Sequence, residues 1–175
     1  MTDVAGYTDV PKHVGLFERW NGFLHILWDQ LGREKCFILE TGTLREPGNW
    51  RGDGQSTRLW QWLIENHQAF AISVDADVKA CMLASRECPN VRVELGDSVA
   101  FMRGFMPFPL TLVYLDSIGG MHQLAELAAL WEKIPSGCLI ASDDSPKKPE
   151  LTRKLLSAMG IEPEYDDYIV VWRKP

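Results

Sequence analysis

The sequence contains no run of lysine and arginine residues, and this absence restricts the partners we expect. Its 175 residues include 18 Lys and Arg against 24 Asp and Glu, which gives a formal net charge of -6. Proteins that bind the phosphate backbone of nucleic acids usually carry a basic patch or stripe. We therefore expect no nucleic-acid partner.

Long apolar runs and a targeting segment are missing as well. No stretch reaches the roughly 18 apolar residues that indicate a membrane-spanning helix. The first residues, Met1 to Val4, do not begin a basic region followed by an apolar core, which is the pattern of a secretory signal. We expect a cytoplasmic protein that does not contact membranes.

The cysteines form no recognisable metal or disulfide pattern. There is no CxxC pair and no histidine at the spacing of a zinc ligand among Cys36, Cys81, Cys88 and Cys138. Cys36 and Cys138 lie within apolar runs, where a reduced thiol behaves as a small hydrophobic group. This pattern is consistent with a reducing compartment.

The composition is that of a globular chain with 46% hydrophobic and 24% charged residues. No shift in composition and no internal repeat divides it, so we predict a single domain over residues 1–175, with residues 1–12 as a loose arm. Apolar residues recur every three or four positions over residues 13–31, which predicts an amphipathic helix ending at Gly32. Its aromatic face either packs against the domain or contributes to a homodimer.

Four apolar runs that each end in an acidic residue organise the rest of the chain. They end at Glu40, Asp75, Asp116 and Asp143. Apolar runs bounded by turn residues are typical of buried parallel strands, and ligands of open α/β sheets bind outside the carboxyl ends of the strands. We therefore predict an acidic crevice at these four strand ends.

Strand and helix patterns alternate five times before a closing hairpin. We predict strands over 36–40, 70–74, 91–95, 110–115 and 138–141, helices over 56–67, 77–87, 98–102, 121–133 and 150–159, and hairpin strands over 161–165 and 168–172. Such alternation requires parallel pairing through right-handed crossovers, with helices on both faces. The predicted fold class is α/β, a doubly wound, mostly parallel seven-stranded sheet with a C-terminal antiparallel hairpin.

The loop over residues 43–55 is long, polar and rich in glycine, whereas strand-to-helix loops usually contain about 2–6 residues. We interpret it as a lid or an acceptor wall, because it combines aromatic and hydrogen-bonding groups at Arg45, Asn49, Trp50, Arg51 and Asp53. The alternative is that the loop is an insertion without a functional role.

Nearly the whole chain resembles the class I S-adenosylmethionine-dependent methyltransferases, which implies a Rossmann-like sheet. Glu40-Thr41-Gly42 resembles the acidic-x-Gly start of the family's first motif, which faces the methionine part of the cofactor. Asp75 matches the acid that binds the ribose hydroxyls, and Gly96-Asp97-Ser98 matches the segment that meets the adenine amino group. The resemblance implies cofactor contacts at Glu40, Thr41, Gly42, Thr43, Ser56, Asp75, Ala76, Gly96, Asp97, Ser98 and Asp116.

The first motif departs from the family pattern, because the next glycines come only at Gly48, Gly52 and Gly54. Either the loop closes over the methionine tail in its own way, or residues 53–56 approach it instead. A nicotinamide dinucleotide site would need GxGxxG directly after the first strand, and that fingerprint is absent.

Three aspartates resemble the metal ligands of the metal-dependent O-methyltransferases, such as catechol O-methyltransferase. They are Asp116 and the pair Asp143-Asp144, and their hard oxygen atoms suit Mg²⁺ or a similar ion. By this resemblance the ion would position a substrate hydroxyl and lower its pKa. Alternatively, Asp143 and Asp144 cap the following segment while Asp116 contacts cofactor or substrate.

The lysine base of that subfamily is missing after Asp116, where residues 117–120 contain none. We name His122 and Lys147 as replacement candidates for the proton acceptor, beside Asp116 as a catalytic residue. The sequence thus predicts an enzyme that methylates oxygen on a small molecule or sugar with S-adenosylmethionine. Two alternatives remain: a module or partner subunit that binds the cofactor without methyl transfer, and an enzyme that uses it for non-methyl chemistry.

Overall fold

The computed structural model describes residues 21–31, 35–47, 55–105, 109–144 and 146–175. The strands are β1 Cys36–Thr41, β2 Ala69–Asp75, β3 Arg92–Leu95, β4 Leu112–Leu115, β5 Leu139–Ser142, β6 Tyr165–Asp166 and β7 Val170–Arg173. The helices are α1 Asn21–Leu31, α2 Gln55–Asn66, α3 Val78–Glu87, α4 Ser98–Gly104, α5 Gly120–Leu130 and α6 Glu150–Ala158, with a 3₁₀ turn over Trp131–Lys133.

The strands form one seven-stranded sheet in the order β3-β2-β1-β4-β5-β7-β6. Strands β1 to β5 pair in parallel, and β7 pairs antiparallel with both β5 and β6. The chain winds from β1 outward to β3 and then returns to β4 on the other side of β1, so the strand order reverses between β1 and β4. The predicted fold class is confirmed, and this reversal is where α/β sheets bind ligands.

Two buried clusters cover the two faces of the sheet. One face packs Ile38 of β1 against residues of α1 and α2, including Phe23 and Trp60. The other packs Leu39 of β1 with Leu127 of α5 and other buried residues. Neighbouring residues of a strand point to opposite faces, so β1 contributes to both clusters.

Helix α1 buries its aromatic and aliphatic face within the domain, since Phe23, Leu24, Leu27 and Trp28 are at most 4% exposed. This supports the packing interpretation for residues 21–31, while residues 13–20, Gly32 and the arm over 1–12 lie outside the described residues. The homodimer stays a prediction. No helix in the described part of the chain is long and apolar enough to cross a membrane.

The hairpin differs most from its predicted form, because the strand predicted over 161–165 is wrong except at Tyr165. The backbone N–H of Ile161 donates to the carbonyl of Leu156, 2.9 Å away, which ties it to the end of α6. Pro163 has no N–H for a ladder. Strand β6 therefore begins only at Tyr165, and it includes Asp166, which lies between the two predicted hairpin strands.

Other boundaries differ by a few residues. Val91 lies outside β3, because its N–H donates to the carbonyl of Cys88 in a turn. The helix predicted over 121–133 is α-helical only to Leu130 and continues as the 3₁₀ turn. Two residues define helix ends: Asp77 caps α3 by accepting from two backbone N–H groups, and Gly160 adopts φ of 75° after α6.

Candidate active site

A cavity of about 370 Å³ opens at the carboxyl ends of β1 to β4, within the size range of small-molecule sites. A second cavity of about 190 Å³ lies beside it, and both share walls made by Gly42, Arg45, Ser117 and Ile118. The larger cavity reaches Asp75 and Asp97, and the smaller one reaches Asp116, Asp144 and Lys148. The structure therefore places two of the four predicted acidic strand ends, Asp75 and Asp116, around one divided crevice, whereas Glu40 and Asp143 line neither cavity.

The carboxylate of Asp75, only 7% exposed, is fixed at the larger cavity by backbone donors. Its Oδ1 accepts from the N–H of Asp77 at 2.8 Å, and its Oδ2 accepts from the N–H of Thr43 at 3.1 Å. The guanidinium of Arg45, which is about half exposed, lies 3.3 Å from the same Oδ2. Asp75 therefore presents an oriented carboxylate, and Arg45 of the long loop reaches it.

The turn at Gly42 forms a cradle between β1 and β4. Gly42 adopts φ of 81°, a left-handed conformation that favours glycine. A Cβ at this position would lie 2.7 Å from the carbonyl oxygen of Asp116. Because Gly42 also lines both cavities, the missing side chain leaves the backbone accessible to a ligand at their junction.

Glu40, Thr41 and Ser56, predicted as cofactor contacts, line neither cavity. Glu40 is fully buried under the turn, where its carboxylate accepts from the indole N–H of Trp60 at 2.8 Å and the hydroxyls of Thr57 and Ser73 at 2.8 and 2.6 Å. Ser56 also hydrogen-bonds Glu40, and burial raises the pKa of Glu40 to about 7. The hydrogen bonds of Glu40 therefore lie beneath the turn after β1, and its carboxylate does not face either cavity.

The segment after β3, which contains Gly96, Asp97 and Ser98, lines the larger cavity together with Ala76 after β2. Asp97 accepts from the N–H of Ala100 at 2.7 Å and thereby caps α4. This cap fixes the backbone of the segment, while the side chain of Asp97 remains exposed. Thr43 lines the smaller cavity.

A buried glutamate that sequence reasoning missed supports this wall. Glu126 of α5 is fully buried, and it accepts from the hydroxyls of Ser98, Ser117 at 2.8 Å and Thr41 at 3.2 Å. Burial raises its pKa. Its position four residues after His122 was the available signal, because residues at i and i+4 share a helix face.

His122 belongs to this cluster and not to the aspartates. Its Nε2 lies 2.9 Å from the hydroxyl of Ser98 and 3.4 Å from Oε1 of Glu126. It lines the larger cavity and is absent from the lining of the smaller one, which holds Asp116 and Asp144. The structure therefore places His122, a candidate proton acceptor, beside Ser98 and Glu126 and outside the lining of the cavity that holds Asp116 and Asp144.

Asp116, Asp143 and Asp144 converge with a lysine at the other end of the crevice. Nζ of Lys148 lies 2.9 Å from Oδ1 of Asp116 and 2.7 Å from Oδ2 of Asp144. Burial and the charge of Asp143 raise the pKa of Asp116 to about 8, and burial raises that of Asp143 to about 6. The neighbouring carboxylates raise the pKa of Lys148, which keeps it an ammonium.

Lys148, not the predicted Lys147, faces the site. Lys147 is exposed and lines neither cavity, whereas Lys148 lines the smaller one. Residues 146–149 form a turn between β5 and α6, so the direction of each lysine depends on that turn and not on a helix or strand period. The basic group at this site is therefore Lys148, one residue after the predicted Lys147.

The predicted metal site does not fit the observed arrangement. Within the described ranges, no group of three His, Cys, Asp or Glu side chains is placed to hold a metal ion. The ammonium of Lys148 lies between Asp116 and Asp144, where it satisfies oxygens that would otherwise be ligands. Two of the three predicted ligands, Asp116 and Asp144, are therefore already paired with a cation from the protein.

No protein-family model matches the chain, and a search of curated proteins finds no similar sequence. Solved structures do match. The methyltransferase MycE of the mycinamycin biosynthetic pathway, in complex with Mg and SAH, superposes with a TM-score of 0.67 at 16% identity over 94% of this chain and 55% of its own. This chain thus spans about half the length of MycE.

Two shorter structures match over almost their full length. A Staphylococcus aureus protein assigned as a caffeoyl-CoA O-methyltransferase gives a TM-score of 0.65 at 12% identity, over 96% of this chain and 94% of its own. A TehB-like SAM-dependent methyltransferase from Corynebacterium glutamicum gives 0.58 at 13% identity, over 94% and 98%. The chain has the fold of the class I S-adenosylmethionine-dependent methyltransferases.

Proposed function

We propose that this chain is a methyltransferase that binds S-adenosylmethionine and methylates oxygen on a small polar molecule. The observation that carries the proposal is the carboxylate of Asp75, held by two backbone N–H groups at the wall of the larger cavity. A carboxylate so fixed can accept from both hydroxyls of a ribose in short, charge-assisted hydrogen bonds. Its ion pair with Arg45 would have to open or rearrange to admit the ribose.

The divided crevice suits the two ends of the cofactor. Adenosine fits the larger cavity, with Asp75 at the ribose and the Gly96-Asp97-Ser98 segment at the adenine. The methionine part fits at the Gly42 cradle, where the two cavities meet. When bound, S-adenosylmethionine supplies a methyl group on a positively charged sulfur, and the acidic strand ends favour that charge.

The smaller cavity is the proposed acceptor site, because it joins the larger one at Gly42 and is lined by polar groups. Asp116 and Lys148 can hold an acceptor hydroxyl there by hydrogen bonds, and Asp116 is the candidate to take its proton. A carboxyl whose pKa is raised to about 8 suits proton transfer near neutral pH. His122 lies among residues of the adenosine cavity and is a weaker candidate for this role.

A metal ion has no part in the proposed chemistry. The MycE complexes contain Mg, but here Lys148 is paired with two of the three aspartates that would bind such an ion. We therefore assign the electrostatic stabilisation of the acceptor to side chains of the protein and not to a metal ion.

Calorimetric titration with S-adenosylmethionine tests the proposal on wild type, Asp75→Ala and Asp167→Ala. Asp167 is an exposed carboxylate of the hairpin and serves as the matched control. We expect micromolar binding to wild type and the control, and about 10- to 100-fold weaker binding to Asp75→Ala, the range for lost hydrogen bonds to a charged group. Absence of binding to wild type would overturn the cofactor assignment.

Mass spectrometry then separates the enzyme from the alternatives. Wild type incubated with S-adenosylmethionine and a panel of phenols and sugars should produce S-adenosylhomocysteine and a methylated acceptor. Binding without turnover across that panel would favour the binding module, and a cofactor product other than S-adenosylhomocysteine would favour non-methyl chemistry.

A further inference from the structure

The ammonium of Lys148 is held from two sides at the strand ends. It pairs with Asp116 after β4 at 2.9 Å and with Asp144 after β5 at 2.7 Å. The side chains of Lys148 and Asp116 are only 24% and 18% exposed. Solvent screens such a pair less than it screens a surface ion pair.

The backbone around Lys148 is fixed by a close contact. A Cβ at Gly120, the first residue of α5, would lie 2.6 Å from the carbonyl oxygen of Lys148. The N–H of Lys148 donates to the carbonyl of Asp144, 3.3 Å away. Contact with α5 and the turn after β5 therefore together position the lysine over the carboxylates.

Asp144 is oriented toward the lysine by its own strained backbone and by the hairpin. It adopts φ of 61° and is the one non-glycine residue with positive φ in the described part of the chain. Its Oδ1 accepts from the hydroxyl of Tyr168 at 2.9 Å, which leaves Oδ2 for Lys148. Its N–H donates to Oδ1 of Asp143 at 2.8 Å. Strain kept in place by several contacts is a common feature of functional sites.

We propose that Lys148 is the built-in cation of this carboxylate site and that it excludes divalent metal ions from Asp116 and Asp144. A metal ion binding there would have to displace the ammonium from both oxygens, or lie beside a like charge. The lysine thus performs, as a fixed positive charge and hydrogen-bond donor, the electrostatic part of a metal's role. One consequence rests on the function proposed above: methyl transfer should be insensitive to EDTA.

Titration with Mn²⁺, followed by electron paramagnetic resonance, tests whether the carboxylates bind a divalent ion, and it needs no methyl acceptor. Metal-free wild type should bind no Mn²⁺ up to millimolar concentration. Lys148→Met should bind one ion, because it removes the ammonium and leaves the carboxylates. Lys148→Gln provides a second, polar variant of the same change, and thermal unfolding establishes that each variant is folded.

Two further variants locate the site. Lys147→Met changes the adjacent exposed lysine in the same way and should remain like wild type. Adding Asp144→Asn to Lys148→Met should abolish the new binding. The inference is overturned if wild type binds Mn²⁺ and loses it in Asp144→Asn, or if folded Lys148 variants bind none. Binding of S-adenosylmethionine to wild type is measured separately, so failure of the proposed function is distinguishable from failure of this inference.

Discussion

The backbone of Gly42 lies so close to Asp116 that a Cβ on the glycine would be 2.7 Å from the aspartate's carbonyl oxygen. The approach is maintained by the sheet, because the N–H of Asp116 donates to the carbonyl of Thr41 at 3.1 Å and the N–H of Gly42 donates to that of Val74 at 3.0 Å. The turn after β1 is thus held against both neighbouring strands. This contact forms the floor where the two cavities meet.

Gly42→Ala should therefore destabilise the protein and weaken cofactor binding. A left-handed conformation costs a non-glycine residue about 1–2 kcal/mol, and the Cβ must also displace the carbonyl of Asp116. We expect a loss of at least about 2 kcal/mol of unfolding free energy. Urea unfolding followed by circular dichroism measures the loss, and calorimetry measures the binding.

Gly104→Ala is the matched control for this change. Gly104 ends α4, a Cβ there would have nothing within 4 Å, and the position is exposed. Alanine is favoured over glycine in helices by about 0.5–1 kcal/mol. The control should keep or slightly raise stability, and equal effects of the two substitutions would show that the cradle at Gly42 is not under steric constraint.

The strand ends were predictable because periodicity and acidic termini are local signals. Glu40, Asp75, Asp116 and Asp143 each follow an apolar run, and strand order brings them to one edge of the sheet. The sequence did not indicate toward which side of the sheet each acidic side chain points. Glu40 points into the layer of α2, whereas Asp75 reaches the cavity, because side-chain direction depends on strand register and on the following turn.

The residues missed by sequence reasoning depend on tertiary contacts. Lys148 differs from Lys147 only by the direction that its turn gives it, and no periodic pattern reports that direction. Glu126 is a charged residue on a buried helix face, where hydroxyls from three other segments satisfy it. The first hairpin strand shortened because Pro163 cannot donate and Ile161 bonds to α6.

Glu126→Ala should weaken both the fold and cofactor binding. It leaves the hydroxyls of Thr41, Ser98 and Ser117 without their shared acceptor, and one buried polar group without a partner costs about 1–3 kcal/mol. Ser98 and Ser117 line the larger cavity, so their displacement should lower affinity for S-adenosylmethionine. Urea unfolding and calorimetry measure the two effects.

Glu126→Gln should lie between wild type and Glu126→Ala in both measurements, because the amide oxygen still accepts and hydroxyl groups can reorient. Glu132→Ala removes an exposed glutamate just after the same helix and should change neither quantity. Wild-type stability and affinity in Glu126→Ala would contradict the supporting role of this carboxylate.

The buried carboxyl of Glu40 should make stability depend on pH. Burial raises the pKa of Glu40 to about 7 in the folded chain, so the folded state holds its proton more tightly than the unfolded state does. Its contribution is fully present below the pKa of the unfolded glutamate, about 4.3, and is lost as pH rises through about 7. From about pH 5 to pH 8 it should decrease by about 2–3 kcal/mol.

Glu40→Gln removes this titration while its amide can still bond the hydroxyls of Thr57 and Ser73, which accept as well as donate. The difference in unfolding free energy between wild type and Glu40→Gln should therefore shift in favour of the variant as pH rises. The raised pKa values of Asp116 and Asp143 also make the unfolding free energy fall as pH rises, in wild type and in Glu40→Gln alike. The difference between the two proteins therefore reports the titration of Glu40. Urea unfolding across this pH range provides the measurement, with exposed Glu132→Gln following wild type. A constant difference from about pH 5 to pH 8 would show that Glu40 does not titrate between these values in the folded protein.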